Sequence, residues 1–124
     1  MITAVPRMTL SEFEKLTEKA IKRLPKFFKS RMQNVVVVVA EAPDRAQARR
    51  FGNLLGLYEG VPLLDRTAYY SGAMPDKITI FKKNIEACCS TPGELEKEVR
   101  HVVMHEIAHH FGIDDARLKK EGLY

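Results

Sequence analysis

The chain has 124 residues, of which 45% are hydrophobic and 29% charged, and it carries a net charge of +4. That length suits one domain with one core, and the composition is that of a globular protein rather than a disordered or fibrous one. No apolar run approaches the ~20 residues of a membrane span, and the mild positive charge, densest at Lys22, Arg23, Lys26, Lys29 and Arg31, reads as a solvated helix face rather than a nucleic-acid patch.

Residues Met1 to Arg7 lack the basic and apolar regions of a signal peptide, which predicts a cytoplasmic protein. The two cysteines, Cys88 and Cys89, are neighbours. An adjacent pair makes a poor disulfide staple, in agreement with a reducing compartment.

Thr9-Leu10-Ser11-Glu12 fits a capping box and opens a first helix. Phe13, Leu16, Ala20, Ile21 and Leu24 follow at helical spacing and give that helix a core-facing stripe. Pro25 breaks or restarts it. Val35 to Ala40 is apolar without alternation, which predicts a strand buried on both faces and central in its sheet. Arg45 to Leu55 is weakly helical. Leu54 to Tyr58 reads as a second strand, closed by Gly60 and Pro62, and residues 63 to 76 read as an irregular loop. Lys77 to Phe81 is a third strand whose mixed polarity places it nearer an edge. A short helical segment runs from Asn84 to Cys89. Thr91-Pro92-Gly93-Glu94 supplies an N-cap, a proline at the first helical position and a glutamate at the third. The helix it starts runs to about Phe111. Its second half (Val102, Val103, Met104, Ile107, Ala108, Phe111) is apolar almost all round, so it is expected in the interior.

The chemistry sits at the end of that helix, where His105-Glu106-Ile107-Ala108-His109-His110-Phe111-Gly112-Ile113-Asp114-Asp115 reads HExxHxxGxxD. His105 and His109 lie one turn apart on one helix face, so both imidazoles can reach one metal ion. Glu106 can hold and deprotonate a water on that metal. Gly112 can end the helix in the left-handed conformation and turn the chain back. Asp115 then arrives where a third ligand is needed, with Asp114 as its competitor or as a carboxylate that orients a histidine. Three protein ligands with an open position form the pattern of a catalytic zinc site, one Zn2+ per chain. His101 lies too far along the helix, ~12 Å of rise from His109, to share its metal. His110 points ~100° away from His109 and suits packing better than ligation. Cys88 and Cys89 read as small core residues.

The eleven-residue motif resembles the extended zinc signature of the metzincin side of the zincin metallopeptidases, with Asp in place of the third His. The wider chain is similar to the small bacterial zinc metallopeptidases sometimes called minimal zincins. The matching stretches are Val35 to Val39, Gly56 to Leu63, Asp76 to Phe81 and Glu98 to Glu106. The resemblance implies a compact α/β (α+β) zincin-like fold: a small mixed sheet against an N-terminal helix and a C-terminal active-site helix, in one domain over residues 1–124. It also implies zinc at His105, His109 and Asp115, with Glu106 as general base. Unlike metzincins, this sequence has no methionine among the nine residues after Asp115. A C-terminal subdomain that would complete a deep cleft is likewise not expected.

The expected activity is therefore peptide-bond hydrolysis by a zinc metallopeptidase of minimal size, acting on a peptide or an unstructured protein segment. The strand Lys77 to Phe81, as an edge, could pair with an extended substrate. Tyr58, Tyr69, Tyr70 and Tyr124 are candidates for a second oxyanion donor. Two alternatives stand beside this reading. One is a metal-dependent endoribonuclease, since a family of ribosomal-RNA-processing enzymes spaces three histidines as HxxxHxxGxxH; the Asp at the third position and the Glu after the first His speak against it. The other is a zinc-binding protein without turnover.

Overall fold

The computed structural model describes residues 7–60 and 75–120, with Asp115 described by its backbone alone. α1 spans Leu10–Lys22 and begins at the capping box read from the sequence. Thr9 Oγ1 accepts from the Glu12 amide at 3.1 Å, and Glu12 Oε1 accepts from the Thr9 amide at 2.9 Å. Phe13 and Ala20 are fully buried, while Leu16 and Ile21 lie at the margin of the core. Pro25 ends this helix run, and a single turn, α2, restarts at Lys26–Lys29. The other elements are β1 (Val35–Ala40), α3 (Arg45–Phe51), β2 (Gly56–Glu59), β3 (Asp76–Phe81), α4 (Lys82–Ala87), α5 (Pro92–His110) and α6 (Asp115–Lys120). The loop expected at residues 63–76 falls mostly outside the described residues.

The three-stranded sheet has the order β1-β3-β2, with β3 parallel to β1 and antiparallel to β2. This reverses two expectations. The valine strand β1 flanks the sheet, with Val36 and Val38 exposed by 42% and 39%. β3 is the central strand, with Ile78, Thr79, Ile80 and Phe81 all buried. β-branched residues favour an extended backbone whether or not both faces are covered, so the unbroken valine run reported conformation and not position. The polar residue that suggested an edge, Lys77, sits at the end of β3, where its ammonium lies 3.7 Å from Glu59. Because β1 and β2 occupy both sides of β3, Lys77 to Phe81 offers no ladder to a substrate.

α1 and α5 pack on one another and α5 packs on β2 and β3. The core between them is built from Phe13, Ile78, Ile80, Leu95, Val99 and Val103, all fully buried. Among the described residues, no helix is long and apolar enough to cross a membrane.

A buried ion pair ties α4 to the segment before α1. Lys82 Nζ lies 3.1 Å from Glu86 Oε1 with the two side chains 7% and 5% exposed, and Glu86 Oε2 accepts from the Met8 amide at 2.7 Å. Removing one member of such a pair leaves the other charged in a dry setting. Lys82→Ala is expected to destabilise the fold by ~3 kcal/mol. Adding Glu86→Gln, which discharges the site and keeps an acceptor for Met8, should recover part of that loss. Urea unfolding of the single and double variants measures both; equal stability of Lys82→Ala and the parent would show that the pair contributes nothing.

Candidate metal centre

α5 carries the motif. Thr91 Oγ1 accepts from the Glu94 amide at 3.1 Å and Pro92 occupies the first turn, as the sequence indicates. Glu94 does not reach back to Thr91; its carboxylate accepts from the Ser90 amide at 2.6 Å, one residue further out. Val102, Val103, Ile107 and Ala108 are buried and hold the C-terminal half against the sheet and α1. Phe111 departs from the expectation of burial. It lies at the C-cap, 50% exposed, with the Arg31 guanidinium 5.7 Å from its ring centroid.

The helix ends as Gly112 predicts. Gly112 has φ +71°, the Gly112 amide donates to His109 O at 3.1 Å, and the Ile113 amide donates to Ala108 O at 2.8 Å. These are the two bonds of a Schellman turn. Ile113, 5% exposed, enters the core and anchors the reversed chain. The turn delivers α6, a helix not foreseen in the sequence. Asp114 caps it, with Oδ1 accepting from the Arg117 amide at 2.8 Å, and Leu118 is fully buried beneath it. Asp114 thus serves as the cap of α6. The backbone of Asp115 is the first residue of α6, while its side chain lies outside the described residues.

His105, Glu106 and His109 come together. One ligand atom from each lies within 4.8 Å of the others, and the two imidazole centroids are 4.0 Å apart at 55°. Two imidazoles and a carboxylate over that span match what one divalent ion and its water can bridge. The group sits near the C-terminal end of a 19-residue helix, where the helix dipole favours a cation. It is also reachable. His109 is exposed, and His105 and Glu106 are half-buried. A hollow of about 330 Å³ between Asn53 to Gly56 and α5 touches His105 and Glu106. Another of about 310 Å³ touches His109, Gly112, Ile113 and Asp114. A larger hollow of about 600 Å³ at Arg7, Met8 and α4 has no histidine or cysteine in its lining, and its buried charges, Lys82 and Glu86, already pair with each other.

The remaining candidates separate clearly. His101 is exposed, with its ring 6.5 Å from that of His105, and it lines the same hollow as His105 and Glu106. His110 stacks on Tyr58 at 4.0 Å. Cys88 and Cys89 are free; Cys89 is buried, and burial pushes its thiol up to about 11, which keeps it protonated and a poor ligand at neutral pH. Tyr58 donates its hydroxyl to Asp76 Oδ2 at 2.7 Å. Tyr69, Tyr70 and Tyr124 fall outside the described residues. One contact had no sequence signal: the Tyr58 amide donates to Glu106 Oε1 at 3.0 Å across 48 residues of chain.

A mixed α/β fold with a His–Glu–His group on a capped helix that ends in a glycine turn defines a zincin-type site. The chain matches the profile of the zincin-like metallopeptidases over residues 32–123, and it belongs to that family. Among curated proteins there is no significant match.

Proposed function

We propose that the protein is a zinc-dependent peptidase acting on peptides or unstructured protein segments. The observation that carries this reading is the His105–Glu106–His109 group, with its ligand atoms within 4.8 Å, open to a hollow beside Glu106. His105 and His109 would hold the metal, and Asp115, at the start of α6, would complete the set. Zinc bound there would acidify a water and polarise the scissile carbonyl. Glu106 takes the proton from the attacking water and returns it to the leaving amine. One hollow touches His105 and Glu106 and another touches His109, which would leave an extended substrate room beside the metal. Exposure of His109 favours a working site over a closed structural one. The metallopeptidase family and the Glu after the first His favour peptides over RNA. The free thiols of Cys88 and Cys89 suit a reducing, cytoplasmic setting.

Protein purified without chelators is expected to carry near-stoichiometric zinc, and His105→Ala to lose it. Elemental analysis of both decides this, and full occupancy in His105→Ala would remove the assignment. Incubation of zinc-loaded protein with an unstructured peptide library and with RNA, beside a Glu106→Gln control, tests the reaction class.

A further inference from the structure

α5 presents two adjacent stripes at four-residue spacing. His101, His105 and His109 form one. Val102, Glu106 and His110 form the other, and each of these three residues meets β2. A Cβ on Gly56 would stand 2.6 Å from Val102 Cγ1, so only glycine admits the strand this close. The Tyr58 amide donates to Glu106 Oε1 at 3.0 Å. The Tyr58 ring stacks on His110 with centroids 4.0 Å apart and planes 14° from parallel.

Tyr58 is held at its far end too. Its hydroxyl donates to Asp76 Oδ2 at 2.7 Å, and the same oxygen lies 3.8 Å from His110 Nε2. Asp76 opens β3, so the phenol, the imidazole and the carboxylate join β2, α5 and β3 at one point. The strand register explains why the Tyr58 amide is available to Glu106. Phe81 donates to Leu55 O, and Leu57 and Tyr58 face Thr79 and Ile78. Alternate residues of an antiparallel pair turn their amides away from the partner, so Leu57 bonds into the ladder and Tyr58 points off the outer side of β2, toward α5.

We propose that Tyr58, Asp76 and His110 form a clamp that keeps the Tyr58 amide on Glu106, fixing the carboxylate by Oε1 and leaving Oε2 for proton transfer. The three are positioning residues, and the catalytic consequence rests on the peptidase reading. A bond from an amide to a charged acceptor is directional as well as strong, so it sets the carboxylate plane.

The test uses the full zinc-loaded chain and reads the hydrogen exchange of the Tyr58 amide by NMR, with the Leu57 amide as internal reference. Glu106→Ala, which removes the acceptor, should speed Tyr58 exchange about tenfold or more while Leu57 is unchanged. His110→Ala should do the same through loss of the stack, Tyr58→Phe should do so to a smaller extent, and His110→Phe, which keeps a stacking ring, should restore most of the protection. Zinc affinity in the His110 and Tyr58 variants should stay within about twofold, while kcat on a peptide substrate falls about tenfold at unchanged KM. Unchanged Tyr58 exchange in Glu106→Ala or in His110→Ala overturns the clamp. A loss of zinc affinity as large as the loss of kcat overturns it as well, since the cluster would then support the metal ligands instead. If the unmutated protein hydrolyses no peptide, the peptidase reading falls and the exchange measurements still decide the clamp.

Discussion

Glu106→Gln is expected to bind zinc as the parent does, to unfold at the same denaturant concentration, and to lose peptide hydrolysis by about a thousandfold. The expectation follows from what the substitution keeps. Gln retains an acceptor oxygen for the Tyr58 amide, which stands 3.0 Å from Glu106 Oε1, and it retains the volume at the half-buried site. It cannot take a proton from water at neutral pH. A general base contributes ~10²–10⁴ in rate, and a thousandfold loss corresponds to ~4 kcal/mol of barrier. Two measurements suffice: chelator competition for zinc, and steady-state hydrolysis of a peptide cleaved by the parent. Equal rates in the two proteins would remove Glu106 as the base. If the parent cuts RNA and no peptide, the endoribonuclease reading takes over.

The motif helix α5 was legible in the sequence because its signals are local. Thr91 and Pro92 fix its start, and Gly112 with Ile113 fix its end, through hydrogen bonds at set offsets of three to five residues. The i, i+4 spacing of His105 and His109 then brings their rings together whatever surrounds them. Sheet order was not legible, because it depends on which strands find each other across the chain. Val35 to Val39 announce a strand, but nothing in them says that β3 will lie between β1 and β2. α6 left only a faint trace: Asp114 as cap and Leu118 as its buried residue, in a helix of one and a half turns. The contacts around Glu106 left none. A backbone amide has no sequence signature, and the stacking of Tyr58 on His110 joins residues brought together only by the docking of β2 on α5.

The third metal ligand is where local geometry and chemistry meet, and it carries the other large expected effect. Asp115→Ala should weaken zinc binding far beyond the ~10–100-fold that losing an orienting carboxylate costs, because it removes both a metal bond and a charge that offsets the ion's. Asp114→Ala should weaken it by less than about tenfold. The chain reverses at Gly112 and is pinned by Ile113 in the core, so Asp114 and Asp115 are the first carboxylates beyond the motif helix. Asp114 is already engaged, its Oδ1 accepting from the Arg117 amide at 2.8 Å. Losing that cap costs ~1 kcal/mol of helix stability and loosens the turn that presents Asp115, which is why a small effect on zinc is expected rather than none. Asp115 stands at the first position of α6. Competition with a chromogenic chelator ranks the two variants, and thermal unfolding of the zinc-free proteins separates the cap effect, which should appear in Asp114→Ala alone. A larger zinc loss in Asp114→Ala would move the ligand one residue upstream and make the cap incidental. Equal, small losses in both would place the third ligand outside the HExxHxxGxxD register.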